Sequence, residues 1–306
     1  MNNTGSWYQV LTDDGRRLNC KVKGNFRIKG LRTTNPVAVG DHVHVTEPVD
    51  GSSFITDIEP RRNYIIRKAS NLSKESHIIA ANLDQAILVT SLVHPAVSTV
   101  FMDRFLATAS AYGIPAVIVI NKIDLLTEQE DRELLDAVTY LYKSIGYDVL
   151  HVSAKKGVGI EDLRDVLPGK VSLLSGNSGV GKSSIINELL PELNLRTALI
   201  SQSHDTGMHT TTFSTMYPLP HGGFVIDTPG VKGFGTVEFD PAEVSHYFPE
   251  IFEMSAECRY SDCTHTHEPG CAVLHALEEN RIAQSRYNSY LSILQDSGES
   301  KYRKPQ

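Results

Sequence analysis

Residues Gly176 to Ser183 read GNSGVGKS, a G-x-x-x-x-G-K-S spacing that suits a chain of phosphates. Gly176, Asn177, Ser178, Gly179, Val180 and Gly181 can turn backbone N–H groups inward. The strand-like KVSLL before them and the helix-like SSIINELL after them are the elements such a loop needs. Lys182 would reach the β- and γ-phosphates and the Ser183 hydroxyl would ligate Mg²⁺, with Ser184 continuing the nucleotide-binding stretch into the helix. About forty-five residues on, FVIDTPG sets Asp227 at the end of an apolar strand, where a carboxylate can hold Mg²⁺ through water while the Gly230 N–H meets the γ-phosphate. Between them, TGMHTTTFST is rich in hydroxyls; Thr211 is the choice for completing Mg²⁺ coordination, with Thr210 and Thr212 as alternatives.

A second group of residues could read a base. In NKID, Asp124 follows the strand-like PAVIVI and can accept two hydrogen bonds from guanine N1–H and the 2-amino group, a pair that adenine does not offer. Asn121 would tie loops together and Lys122 would lie against the base. In SAK, Ser153, Ala154 and Lys155 also follow a strand, and the Ala154 N–H could meet guanine O6. NKID alone is a weak signal, but the four motifs together specify a guanine nucleotide. Their order is unusual, because NKID and SAK precede the phosphate loop by tens of residues. A domain whose ends lie close together can be joined there and cut elsewhere, so the order implies a circularly permuted GTPase. The cut also leads the DTPG switch straight into the C-terminal region, which nucleotide-dependent motion could move as a lever.

A third cluster, CRYSDCTHTHEPGC, holds Cys258, Cys263, His265 and Cys271 at metal-ligand spacing, with His267 a competitor for His265. Four soft or borderline ligands with no open position suit one structural tetrahedral Zn²⁺. Clustered cysteines in a chain without a secretory signal favour metal over disulfides.

The elements that must position these residues fall into three regions: 1–68, 69–231 and 232–306. The first reads as short strands (SWYQVLT, RRLNCKVKG, VAVGDHVHVTE, SSFITDIE, NYIIR) split by turn signals, which predicts a closed OB-type β-barrel. The second alternates strands and helices, as a mainly parallel α/β sheet does. The third is mainly helical, with helices expected near Pro241–Phe252 and over Ala272–Leu294, then a frayed tail from Asp296. Net charge is −7, but Arg16 to Arg32 holds seven basic residues and no acid, and Pro60 to Lys74 adds Arg61, Arg62, Arg67, Lys68 and Lys74. Local charge governs phosphate contacts, so these stretches tilt the barrel toward RNA. No apolar run approaches the roughly 18 residues of a membrane span, and MNNTGSWYQV lacks a signal peptide's features, so the expectation is a cytoplasmic protein.

The permuted motif order, with an OB-like region ahead and a Cys/His cluster behind, resembles the RsgA family of small-subunit-dependent bacterial GTPases over nearly the whole chain. The resemblance implies binding to the 30S ribosomal subunit and its 16S rRNA late in maturation, with GTP hydrolysed to GDP under stimulation by that subunit. It favours His265 over His267 as the metal ligand. It also makes His209 the candidate catalytic histidine beside Lys182 and Thr211. Many GTPases orient water with a glutamine directly after DxxG; here Val231 stands there, so intrinsic turnover should be slow. A monomer is the simplest expectation. The rival reading is an RNA-binding module that senses GTP without useful turnover.

Overall fold

The computed structural model describes residues 1–4, 7–22, 36–48, 52–68, 76–193, 195, 214–228 and 239–302. Alternation of inward apolar and outward polar side chains builds the N-terminal sheet from β1 (Asn2–Thr4), β2 (Trp7–Leu11), β3 (Arg17–Val22), β4 (Val43–Thr46) and β5 (Ser53–Ile58). Its order is β1-β2-β3-β5-β4, with β3 and β5 parallel and the other neighbours antiparallel. Tyr8, Cys20, Val37 and Ile55 form its small core. Among the described residues no ladder joins β1 to β4, the pairing that would close the expected OB-type barrel.

NYIIR is not the fifth strand of this sheet. It forms β6 (Tyr64–Lys68), paired antiparallel with β7 (Ser76–Ala81) in a separate ribbon. Ile65 and Ala80 of this ribbon bury into the central core instead, and Asn2–Thr4 supplies the missing strand.

The acid-free basic stretches also change meaning in three dimensions. Arg61 is buried against Asp41 (2.6 Å and 2.7 Å), Arg16 pairs with Asp14 and Glu47, and Arg62 pairs with Asp84. Carboxylates outside those two stretches neutralise part of the charge that a local count assigns to RNA.

The central sheet contains β8 (Gln85–Thr90), β9 (Ala116–Ile120), β10 (Asp148–His151), β11 (Val171–Ser175), β12 (Thr215–Pro218) and β13 (Phe224–Asp227). Between them run α1 (Thr99–Ala111), α2 (Gln129–Ser144), α3 (Ile160–Asp165) and α4 (Lys182–Leu189). The order is β10-β9-β8-β11-β13-β12, parallel throughout except for the β12–β13 pair. All six residues of β8 are buried, which is why its apolar run lacks alternation. From β8 the chain steps outward through β9 and β10, then crosses back so that β11 pairs with the other edge of β8. The carboxyl ends of β9 and β11 thus flank β8 where the strand order reverses, the crevice in which open α/β sheets bind ligands.

The C-terminal region contains α5 (Pro249–Ser255), α6 (Ala272–Glu278) and α7 (Gln284–Tyr302). The single long helix expected from Ala272 is two helices, because Asn280 adopts a left-handed conformation (φ 57°) that ends the first. The expected frayed tail is instead helical to Tyr302. Near Pro241 the helix is a short 3-10 turn, Val244–Tyr247, followed by α5. Among the described residues, no helix is long and apolar enough to cross a membrane.

Helix α1 belongs to two cores: Met102, Phe105, Leu106 and Ala109 pack with the sheet, and Ala107 packs with Phe248, Ile251, Val273 and Tyr290. On this helix, Asp103 is fully buried and meets the Arg286 guanidinium of α7 at 2.7 Å and the Tyr142 hydroxyl of α2 at 2.7 Å. Arg286 also grips both oxygens of Glu250, at 2.6 Å and 3.1 Å, and stacks over Phe248. Removing one partner of such a pair strands a buried charge. Arg286→Ala is therefore expected to cost about 3 to 5 kcal/mol, read as a lowered first transition in urea unfolding; a loss under about 1 kcal/mol would show that the pair is not holding the helices together.

Candidate functional site

Three loops converge at the crevice. The phosphate loop follows β11, whose inward side chains anchor it, and its sharp path needs glycine. Gly181 has φ 99°, and a Cβ there would lie 2.3 Å from Asn121 Nδ2. At Gly176, with φ 150°, a Cβ would lie 2.1 Å from the Val89 carbonyl oxygen of β8. A side chain at Gly176 would press on the backbone of β8, and one at Gly181 would displace the Asn121 side chain.

Asn121 is buried just beyond β9 and acts as the knot. Its Nδ2 donates to the Val180 carbonyl at 2.8 Å, and its Oδ1 accepts from the Ala154 N–H at 3.1 Å. One side chain therefore joins the NKID, phosphate and SAK loops. Lys122, in the left-handed region (φ 66°), donates from Nζ to the Gly179 carbonyl at 2.6 Å and to the His94 carbonyl. Asp124 accepts from the Ser153 hydroxyl through Oδ1 at 2.5 Å, and Ser153 in turn accepts from the Lys156 N–H at 3.3 Å. That hydroxyl orients the carboxylate; Ala154 is buried and Lys155 is exposed.

On the phosphate side, Lys182 is 8% exposed and its Nζ donates to the carbonyls of Gly176 and Asn177 at 2.7 and 2.9 Å. Burial lowers its pKa, with Asp227 pulling the other way. Burial likewise raises Asp227 to about 6, against the opposing pull of Lys182. The two are electrostatic partners, Lys182 at the start of α4 and Asp227 at the end of β13, the combination needed where phosphate and a divalent cation share one space. Thr228 is fixed by donating to the Leu174 carbonyl at 3.0 Å. Ser178 and Gly179 are exposed, whereas Ser183 and Ser184 are half-buried at the start of α4. His209, Thr210, Thr211, Thr212, Gly230 and Val231 lie outside the described residues.

One wall of the site escaped the sequence reading. The segment Ser91 to Ser98 after β8 brings Pro95 Cδ within 3.6 Å of a Cβ built on Gly179, and its His94 carbonyl receives Lys122. Its position at the carboxyl end of the central strand was the available signal.

The Cys/His cluster forms a separate site. The ligand atoms of Cys258, Cys263, His265 and Cys271 all lie within 4.8 Å of one another. His265 Nδ1 stands 3.6 Å from Cys258 Sγ and 3.5 Å from Cys271 Sγ, and the two sulfurs are 3.9 Å apart. A tetrahedron with zinc–sulfur bonds of about 2.3 Å and zinc–nitrogen bonds of about 2.1 Å has edges of roughly 3.5 to 3.8 Å. The donor set fits. Cys271 caps α6, its sulfur accepting the Leu274 N–H at 3.4 Å. His267 points elsewhere, its Nδ1 at 2.7 Å from the Thr266 hydroxyl. The loop is pinned from α7: Tyr287 donates to the His265 carbonyl and Tyr290 to the Thr264 carbonyl, each at 2.7 Å. From inside, Glu268 accepts the Thr264, Thr266 and His267 N–H groups at 2.8, 3.0 and 3.1 Å.

A phosphate loop after β11 and a base-side tetrapeptide after the earlier β9, joined by one asparagine, define a P-loop GTPase whose chain order is circularly permuted. Comparison with known proteins gives the family. Residues 58–237 match the RsgA GTPase family and residues 1–55 match the RsgA N-terminal domain. A Phocaeicola vulgatus protein called small ribosomal subunit biogenesis GTPase RsgA is 57% identical over 301 residues, covering 98% of this chain and 97% of that protein. A Porphyromonas gingivalis protein of the same name is 59% identical over 306 residues, covering 98% and 97%. Among solved structures, YjeQ from Thermotoga maritima superposes with a TM-score of 0.77 at 35% identity, covering 96% of this chain and 95% of that one. YloQ, described as a circularly permuted GTPase, gives 0.75 at 30% identity, covering 99% and 94%. The chain belongs to the RsgA GTPase family.

Proposed function

We propose that this GTPase acts in small-subunit biogenesis: it binds the 30S subunit late in maturation, hydrolyses GTP to GDP and phosphate when the subunit stimulates it, and then leaves. The observation that carries the nucleotide half is the Asn121 knot, which holds a base-side carboxylate and a phosphate-side lysine to one crevice. Asp124 reads guanine, Lys122 lies against the base, and the Ala154 N–H meets guanine O6. Residues 176–184 wrap the phosphates. Ser183, Thr211 and Asp227 hold Mg²⁺ directly or through water, and Gly230 senses the γ-phosphate. Zn²⁺ at Cys258, Cys263, His265 and Cys271 is structural.

In this reading the chain divides into an RNA-facing part (1–68), the permuted GTPase (69–231) and a zinc-binding part (232–306). It works as a cytoplasmic monomer on 16S rRNA. The names of its relatives support the subunit as partner, and Arg17 and Lys21, which join none of the ion pairs of the N-terminal sheet among the described residues, support an RNA-facing surface.

The test is phosphate release with and without purified 30S subunits across a salt series. Multiple-turnover release should rise strongly with subunits, and the gain should fall as salt rises, because phosphate contacts through Lys and Arg release counterions. His209→Ala should lower the stimulated rate more than GTP affinity, since an imidazole can position the attacking water. Subunit binding controlled by nucleotide but without turnover would instead mark a GTP sensor. Equal stimulated rates in His209→Ala and its parent would remove that residue's role.

A further inference from the structure

The register of the N-terminal sheet brings an aromatic row together on its outer face. Tyr8 pairs with Cys20 across β2 and β3, and both point into the small core. Side chains alternate along a strand, so the neighbouring Trp7 and Lys21 point outward and face each other one step along the same ladder. Lys21 Nζ lies 4.5 Å from the centre of the Trp7 ring. On the other side of β3, Lys21 pairs with Phe54 of β5, and Phe54 with Thr46 of β4. The core-facing residues beside them, Val22, Ile55 and Val45, confirm the alternation. The row across the sheet therefore reads Trp7, Lys21, Phe54, Thr46, with Lys21 on the strand between the two aromatic residues, its ammonium over exposed Trp7, and Phe54 half-buried. Two residues along β2 and β3, Gln9 stands opposite Asn19, and beyond them Arg17 faces Leu11.

Trp7 is 37% exposed, an unusual outward position for a large ring on a sheet whose inner face has room for only a small core. Rings spaced by one strand, a lysine between them and an arginine within reach match what single-stranded nucleic acid needs. Every base has a π-face to stack, and each phosphate needs a cation nearby. A folded protein partner would not require a cation on the strand between the two aromatic residues.

We propose that the Trp7–Lys21–Phe54 row is a stacking platform for unpaired RNA bases, with Arg17 meeting the adjoining phosphates. This deepens the RNA-facing role proposed above and rests on it.

The chain's single tryptophan is Trp7 itself, so its emission reports on this row alone. The probes are a labelled eight-nucleotide oligouridylate and an abasic oligonucleotide of the same length and charge. With the full-length protein at low salt, the oligouridylate should quench Trp7 emission and bind about tenfold more tightly than the abasic strand, the increment of one good stack. W7L should reduce anisotropy-measured affinity for oligouridylate about tenfold while leaving abasic binding unchanged, and W7F should keep most of the parent affinity. Equal binding of the two probes without quenching would overturn the platform but leave an electrostatic RNA surface intact. Binding of neither probe would overturn the platform and the RNA-facing reading together. Unstimulated GTP turnover should be the same in W7L and its parent, because Trp7 is none of the residues that join the loops of the nucleotide crevice.

Discussion

Replacing Lys182 with alanine is expected to lower subunit-stimulated GTP turnover by about two to three orders of magnitude, the usual cost of removing one preorganised charge from a reacting oxyanion. The expectation follows from where the ammonium sits. It is almost fully buried inside the loop, fixed by the Gly176 and Asn177 carbonyls, with Asp227 as its electrostatic partner. A buried, pre-aimed cation need not reorganise when charge develops on the γ-phosphate, so its loss should fall on the chemical step and on triphosphate binding alike. Lys182→Arg should not rescue it, since a planar fork does not fit a pocket shaped for a compact point charge. Single-turnover phosphate release on folded variant protein is the check; a rate within about threefold of the parent would remove Lys182 from the chemistry.

Removing the metal should have the second large effect. Structural zinc contributes on the order of 10 kcal/mol to the folding of small metal-bound loops, and here the loop between Cys258 and Cys271 has few apolar residues to replace it. Chelation, or Cys258→Ser, should release the loop from Tyr287 and Tyr290 and speed amide exchange through α5, α6 and the first half of α7. Because Arg286 ties α7 to Asp103, some loosening should reach α1, while β8 and β11 at the sheet centre keep their protection. Metal analysis should give one zinc per chain before treatment. Unchanged exchange over 249–302 in metal-free protein would contradict a structural metal.

What could be read from sequence here had local chemistry at fixed spacing. The GNSGVGKS, NKID and SAK stretches each follow an apolar strand, and the cysteine cluster lies within fourteen residues, so neither depended on knowing the tertiary fold. What could not be read depended on distant partners. Arg61 looks like a free cation beside Arg62 until Asp41 is placed against it. NYIIR has a barrel strand's composition, and only its pairing with β7 and the burial of Ile65 in the central core show that it belongs elsewhere. Asn280 breaks a continuous helical pattern through one backbone angle, and tolerance of that angle is weakly encoded. Arg286 is the clearest case: an arginine in a polar helix reads as solvated, yet it is 1% exposed because Asp103, Glu250 and Phe248 from other elements surround it. That contact also bears on the expected lever. The C-terminal helices are fastened to α1, which begins directly after the Ser91–Ser98 wall of the crevice. The nucleotide loops therefore have a packed connection to the zinc region besides the chain following Gly230.

Equilibrium binding of GTP and xanthosine triphosphate to the parent and to Asp124→Asn tests most directly whether the early aspartate and the later lysine serve one nucleotide. The parent should prefer GTP strongly. In the variant an amide meets guanine's donors with a donor of its own and leaves one unpaired, which should cost about 2 to 3 kcal/mol and shift preference to the xanthine nucleotide. Lys182 should remain necessary for the triphosphate in both. A variant that keeps the parent's preference for guanine would contradict the account.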